Sequence, residues 1–260
     1  MKFHRTIAGF VCGVLVAAVM GACAQKTDGS FSPAQVEQIQ NIVHTYLVAH
    51  PEVLIEASQA LQQQELTKAE VAAKIAISQN AALLFNSKTT PVGGNVNGTV
   101  TIVEFFDYQC PHCINMAGIL NSLIQNNSNV RVVSMEFPIF GDVSDYAARA
   151  ALAAGLQGKY WQMHNGLFGA GKRLTHDVID QIAQQVGVNV AQMKKDMSDA
   201  SITTELMTVR MLAQNLQLQG TPAFIVAPSS FKQGDSEAKV SFFPGQMSQD
   251  QLQQFIGKAE

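Results

Sequence analysis

The sequence predicts an α/β domain that carries an inserted helical subdomain and is preceded by an N-terminal helical arm. Three observations lead to this prediction. A long segment after residue 52 contains neither Gly nor Pro, an apolar strand pattern at residues 99–106 is followed by a helical pattern, and a helical block separates two groups of strand patterns. The 260 residues have room for a leader, an arm and one large domain.

The chain begins with the pattern of a secretory signal peptide at residues 1–22. Lys2 and Arg5 precede an uncharged, largely apolar segment that is too short and wrongly flanked for a membrane span. Export would place the protein in an oxidising compartment, where a disulfide persists. Loss of Lys2 and Arg5 moves the formal charge from −3 to −5. This acidic balance argues against nucleic-acid binding.

Two processing sites fit the end of the leader. Small residues suit ordinary cleavage before Gln25, whereas residues 20–23 resemble a bacterial lipobox in which Cys23 becomes the lipidated first residue. Residues 23–31 are expected to form a tether. The predicted location is the periplasm of a Gram-negative bacterium, with tethering to the outer membrane if Cys23 is lipidated.

Residues 32–86 are predicted to form a helical arm. Ser32 and Pro33 have the pattern of an N-cap followed by proline in the first turn, and apolar residues recur at helical spacing up to Pro51. The following segment is longer than most globular helices. Because so long a helix needs a partner for its apolar side chains, an arm that forms a homodimer or homotrimer is favoured over a helix folded back on its own domain.

Residues 87–260 are predicted to form the second domain. Residues 86–98 are polar and rich in Gly, which marks a linker. In the strand that follows, both alternating sets of side chains are mainly apolar, so the strand is expected in the middle of a sheet. A helix up to about Gln125 and a strand at residues 130–137 complete a βαβ unit.

The predicted helical insertion covers residues 144–219. Strand patterns return at residues 223–226 and 240–243, and a last helix is predicted at residues 248–256. A helical block between two βα halves gives a thioredoxin-like α/β domain with an inserted helical subdomain.

The sequence Cys-Pro-His-Cys at residues 110–113 predicts a redox dithiol. It directly follows the apolar strand, so both thiols lie in the first turn of a helix, whose unpaired N–H groups favour a thiolate. Cys110 is the expected nucleophile and Cys113 the resolving thiol. His112 can stabilise the Cys110 thiolate and so weaken the disulfide. The predicted catalytic residues are Cys110, Pro111, His112 and Cys113.

A zinc site is the alternative interpretation of a Cys-x-x-Cys pair, but it needs a second pair of ligands. Cys12 and Cys23 lie in the leader, and the histidines lack ligand spacing. We predict no metal and no cofactor. Two Met pairs one helical turn apart could serve as copper ligands, although packing on a helix face is the more ordinary role. These are Met193 with Met197 and Met207 with Met211.

Over about residues 90–260 the chain resembles the DsbA family of exported bacterial thiol-disulfide oxidoreductases. The resemblance is carried by Val-Glu-Phe-Phe-Asp-Tyr-Gln-Cys-Pro-His-Cys at residues 103–113 and by Gly-Thr-Pro-Ala-Phe at residues 220–224. It implies that Pro222 is cis and lies beside Cys110, and that the backbone of this loop binds substrate peptide as a short added strand. Thr221 and Pro222 are therefore the expected substrate-binding residues.

Glu104 lies in the otherwise apolar strand before the dithiol. Because its same-face neighbours Ile102 and Phe106 are apolar, a buried carboxyl with a raised pKa is favoured over a polar position at a strand edge. Such an acid could shuttle the proton that Cys113 must lose, and the resemblance implies the same role. Tyr108 fits either the core or a peptide-binding surface.

The expected substrates are unfolded or misoxidised exported proteins, and a membrane redox partner is expected to reset Cys110 and Cys113. Thr221 before Pro222 resembles isomerase-type and many DsbA-like members, and an oligomer would hold several sites around one substrate. Isomerase activity is therefore expected beside oxidase activity, with a mainly isomerase or reductase role as an alternative. A copper-binding thiol chaperone and a structural outer-membrane lipoprotein are the alternatives from other classes.

Overall fold

The computed structural model describes residues 31–171 and 174–260. The predicted signal peptide, its processing sites and the lipidation of Cys23 lie outside the described residues. None of the described helices combines the length and the apolar character that a membrane crossing requires. The chain divides into two compact units, one that ends at Gln62 and one that comprises Gln63–Glu260.

The first unit contains helix α1, Pro33–Ala49, and the beginning of helix α2, Glu52–Gln79. Helix α1 starts with a capping box: the backbone N–H of Gln35 donates to Ser32 Oγ, and the backbone N–H of Ser32 donates to Gln35 Oε1. None of the residues of α1 is buried.

The last part of the segment predicted as an arm lies in the second unit. Helix α2 stops at Gln79 and a short helix α3, Ala81–Asn86, follows it. Ile77, Leu84 and Phe85 are fully buried and pack with side chains of the sheet. The composition of this segment continues that of the arm, but the burial of its large apolar side chains makes it part of the domain core.

A five-stranded sheet forms the centre of the second unit. Its strands are β1 (Val92–Gly94), β2 (Val100–Phe106), β3 (Val130–Glu136), β4 (Ala223–Pro228) and β5 (Ser241–Pro244). The strand order is β1-β3-β2-β4-β5. Strands β2 and β3 are parallel, which confirms the predicted βαβ unit, and the other neighbouring pairs are antiparallel.

Strand β1 lies within the segment that is predicted to be the linker and the entry to this domain. A Cβ atom on Gly93 would lie 2.4 Å from Cζ2 of Trp161, so glycine is needed for this close approach. The indole N–H of Trp161 donates to the Val92 carbonyl at 3.1 Å. Because glycine is depleted in strands, the sequence pattern does not indicate that residues 92–94 form strand β1.

The remaining helices of the second unit fit the predicted order. They are α4 (Pro111–Asn126), α5 (Asp142–Leu156), α6 (Tyr160–Ala170), α7 (His176–Gln185), α8 (Val190–Asp196), α9 (Ala200–Asn215) and α10 (Gln249–Ala259). Helices α5 to α9 form the predicted helical insertion.

Strand β2 is buried along its whole length, as predicted for a central strand. Val103 and Phe105 pack in the core cluster that includes α3 and α9, whereas Ile102 packs with α4 and α10. Phe106 joins the cluster of the helical insertion, which also contains the two cysteines. The end of β2 thus lies where the sheet meets the inserted helices.

Candidate active site

The two cysteines lie where β2 ends and α4 begins. Cys110 is the N-cap of α4 with extended backbone, Pro111 is in the first turn, and Cys113 is buried in the same turn. Both cysteines are free thiols. The N–H groups of a first helical turn have no partners within the helix and favour negative charge nearby.

The loop before β4 contacts the dithiol. The Thr221–Pro222 peptide bond is cis, as the resemblance implies. The thiol of Cys110 donates a hydrogen bond to the Thr221 carbonyl oxygen at a Sγ to O distance of 3.2 Å. A thiolate cannot donate this bond, so the contact is made by the protonated thiol.

Cys113 has surroundings that oppose its ionisation. Burial raises the pKa of the Cys113 thiol far above its usual range, and the Glu104 charge adds to this effect. A backbone hydrogen bond from Asp107 acts in the opposite direction but does not cancel the shift. Cys113 is therefore a thiol at neutral pH and needs a base when it attacks a disulfide.

Glu104 is a buried carboxyl, as the strand pattern predicts. It is 2% exposed, and burial raises its pKa to about 8. Its Oε1 atom has no hydrogen-bond partner among the described residues. A negative charge on Glu104 raises the pKa of the Cys113 thiol, so the ionisation of one group opposes that of the other.

Asp107 is a buried residue of the site that the sequence analysis did not identify. Its Oδ1 accepts hydrogen bonds from the Gln109 N–H and the Ser144 hydroxyl, both at 2.7 Å. Its Oδ2 accepts from the N–H groups of Ile139 at 2.7 Å and Phe140 at 3.1 Å. The carboxylate therefore fixes the turn before Cys110 to the segment between β3 and α5. The available signal was an Asp at the end of a strand, where Asx turns are common.

A second buried polar cluster surrounds Glu136. Its Oε1 accepts hydrogen bonds from the hydroxyls of Tyr108 at 2.7 Å and Tyr160 at 2.9 Å. Because Tyr108 donates to Glu136, it accepts from His164 Nδ1, which lies 3.0 Å from the hydroxyl. Burial raises the pKa of Glu136 well above its usual range and lowers that of His164 to about 3. The structure thus places Tyr108 in the core.

His112 lies on the exposed side of the dithiol. Its Nδ1 is 2.9 Å from Oε1 of Gln246, in the loop between β5 and α10. Nothing in the local sequence pattern links Gln246 to the cysteines.

The Met pairs do not form a common site. Met193 and Met197 are buried in the core cluster of the helical insertion, whereas Met207 and Met211 are 67% and 41% exposed. In the part of the chain that the structure describes, no three His, Cys, Asp or Glu side chains are grouped for a metal ion.

A groove of about 560 Å³ adjoins the cis-proline loop. Thr221 and Pro222 form one side of it. Its apolar lining includes Ala73, Leu216, Leu218 and Phe242. A mostly apolar groove beside this loop suits an extended peptide segment.

Two protein families match the chain. The model of the DSBA-like thioredoxin domain matches residues 101–257. The model of the N-terminal domain of the copper resistance protein ScsC matches residues 35–66.

Solved structures with similar chains cover most of the protein. A thioredoxin-like oxidoreductase from Silicibacter pomeroyi DSS-3 is 39% identical, with 69% of this chain and 97% of that chain covered and a TM-score of 0.63. BcfH from Salmonella enterica Typhimurium is 34% identical, with 87% of this chain and 96% of that chain covered and a TM-score of 0.76.

Curated relatives match about half of the chain. The thiol:disulfide interchange protein DsbA of Pseudomonas syringae pv. tomato is 28% identical over 145 residues, which are 53% of this chain and 67% of that protein. A Na⁺/H⁺ antiporter of Salinispora arenicola is 29% identical over 138 residues. The chain spans only 21% of the length of this antiporter. We therefore do not assign ion transport to it.

Proposed function

This chain belongs to the DSBA-like thioredoxin family of thiol-disulfide oxidoreductases, and we propose that it forms disulfides in exported proteins through Cys110 and Cys113. The contact between Cys110 Sγ and the Thr221 carbonyl, beside cis-Pro222, carries the proposal. A redox sulfur beside this loop supports exchange with an extended peptide that binds along the loop.

In the oxidising direction, the protein starts with a Cys110–Cys113 disulfide. A substrate thiolate attacks Cys110 Sγ, the bond between the two cysteines breaks, and Cys113 leaves as a thiolate. A second substrate thiolate then attacks the substrate sulfur that is bonded to Cys110. The substrate gains a disulfide, Cys110 leaves as a thiolate, and two electrons have passed to the protein.

Glu104 handles the proton at Cys113 in this proposal. With a pKa of about 8, the carboxyl is mostly protonated at pH 7 and can protonate Cys113 as it leaves. In the reverse direction, the carboxylate takes the proton when Cys113 attacks a mixed disulfide. The raised pKa of the Cys113 thiol makes such a partner necessary.

The groove beside Thr221 and Pro222 suits the apolar segments that unfolded or misoxidised exported proteins expose. A membrane redox partner resets the cysteine pair by taking the two electrons. The leader pattern supports a periplasmic location, and lipidation at Cys23 would tether the protein to the outer membrane.

The test is anaerobic transfer from the oxidised protein to a reduced peptide that contains two cysteines. One peptide disulfide is expected for each Cys110–Cys113 pair that becomes reduced, with both redox states counted by thiol alkylation and mass spectrometry. Absence of transfer from a fully oxidised and folded protein would overturn the proposal.

We further propose that residues 31–62 join two or three copies and that the oligomer isomerises disulfides. No residue of α1 is buried, and its Ile42 and Tyr46 are 67% and 53% exposed. A helix of this length is marginal without a partner for its apolar side chains. The match of residues 35–66 to a family domain supports a specific role for this segment.

This second proposal is tested by comparing the mature chain with one that starts at Gln63, the beginning of the second compact unit. Recovery of a scrambled-disulfide protein is expected only with the longer chain, whereas both should oxidise dithiols. Equal isomerisation by both chains would contradict a role for the oligomer.

Copper binding is a second candidate function, favoured by the match to the N-terminal domain of the copper resistance protein ScsC. The thiolates of Cys110 and Cys113 are soft ligands that suit Cu(I). Stoichiometric Cu(I) retention with negligible disulfide exchange would favour this candidate. Rapid exchange without Cu(I) retention would exclude it.

A further inference from the structure

Gln246 faces the histidine between the two cysteines. Its Oε1 lies 2.9 Å from His112 Nδ1, and both residues are exposed. Because an amide oxygen only accepts hydrogen bonds, Nδ1 must carry the hydrogen. The contact therefore fits the imidazolium and the neutral Nδ1–H form of His112. It does not fit the neutral form that is protonated only at Nε2.

The loop of Gln246 is held on both sides. The N–H of Gly245 donates to the Pro222 carbonyl at 2.8 Å. Met247 is 3% exposed and packs in the core cluster with α4 and α10. The exposed side chain of Gln246 thus extends from an anchored backbone, which lowers the conformational entropy lost when it binds His112.

The same loop connects the two sides of the redox site. Cys110 Sγ contacts the Thr221 carbonyl, and the neighbouring Pro222 carbonyl accepts from Gly245. Gln246 then contacts His112, two positions after Cys110. These contacts and the chain segments between them form a closed ring that includes Cys110.

We propose that Gln246 is a positioning residue that holds His112 in the protonation form and orientation that stabilise the Cys110 thiolate. This inference rests on the proposed function. A thiolate stabilised in the reduced protein weakens the Cys110–Cys113 disulfide and makes it a stronger oxidant. Without the acceptor at Nδ1, His112 rotates more freely and populates the other tautomer.

The test measures the redox equilibrium of the mature protein with glutathione at pH 7, for wild type and Gln246→Leu. The variant is expected to shift the equilibrium about threefold toward the disulfide, because water competes for an exposed hydrogen bond. Gln246→Asn is expected to give the same shift, since its shorter side chain withdraws the oxygen. A separate surface pocket is lined by His112, Gln246 and Gln249. Gln249→Leu is therefore the matched control and is expected to leave the equilibrium unchanged.

The decisive comparison repeats Gln246→Leu in a His112→Ala background, where no further shift is expected. No shift in the wild-type background, or an equal shift in both backgrounds, would overturn the inference. If the proposed function is wrong, the result is a different one, because wild type itself would not transfer its disulfide to the reduced peptide. Normal transfer with no effect of Gln246 would remove only the positioning role.

Discussion

Cys110 and Thr221 are 111 positions apart in the sequence, yet the sulfur of one lies 3.2 Å from the carbonyl oxygen of the other. The sheet brings them together because β2, which leads to Cys110, pairs with β4, which follows Thr221. The redox sulfur belongs to a residue that is 1% exposed, and it lies against a backbone segment. This arrangement suits exchange with a peptide chain more than with a small molecule.

Glu104→Gln is expected to remove a pH-dependent loss of stability. The pKa of Glu104 is raised from 4.5 to about 8, so the folded protein keeps a proton that the unfolded chain releases. Wild type therefore loses stability as the pH rises between about 4.5 and 8. The loss amounts to about 3 kcal/mol between about pH 5 and pH 8.

Urea unfolding of the reduced proteins at the two pH values measures this difference. Glu104→Gln should show a flatter profile than wild type, whereas Glu65→Gln, on an exposed face of α2, should keep the wild-type profile. Parallel profiles for wild type and Glu104→Gln would show that the Glu104 carboxyl does not carry the raised pKa.

Asp107→Ala is expected to destabilise the protein by about 2–4 kcal/mol, because it leaves four donors, in one buried and three partly buried hydrogen bonds, without their acceptor. Three of the donors are backbone N–H groups and the fourth is the Ser144 hydroxyl. Ser144→Ala removes only one donor and should cost about 1 kcal/mol. Urea unfolding compares the two variants. Equal losses would mean that the backbone contacts of Asp107 contribute little.

Ile42→Lys is expected to weaken self-association through the first unit. Ile42 is 67% exposed on α1, and a charge there would be costly in an apolar interface between copies. Gln40→Lys adds the same charge at a polar, exposed position of the same helix and should have a smaller effect. Sedimentation equilibrium measures the mass of each variant. A monomeric wild type would contradict the oligomer.

Local patterns predicted much of the fold. The apolar run of β2, the dithiol at the start of α4 and the helical block from α5 to α9 are each specified by neighbouring residues. Glu104 could be predicted as buried because an apolar residue lies two positions away on either side, on the same face of the strand.

Features that depend on distant contacts could not be predicted. Gly93 is needed only because Trp161 packs against it, and the sequence gives no sign of that contact. The sequence around Ile77 has the same helical pattern as the rest of the arm, and only the contacts with the sheet show that Ile77 is buried. Gln246 and Asp107 matter through partners far along the chain, which periodicity does not reveal.

Trapping of a mixed disulfide tests most directly whether Cys110 exchanges disulfides with other proteins and Cys113 resolves them. Reduced Cys113→Ser protein, mixed with a disulfide-containing substrate protein, is expected to form a covalent complex that a reductant releases, with the bond mapped to Cys110 by mass spectrometry. Cys110→Ser should form no such complex. Absence of the complex with Cys113→Ser, or equal amounts with both variants, would contradict the proposed chemistry.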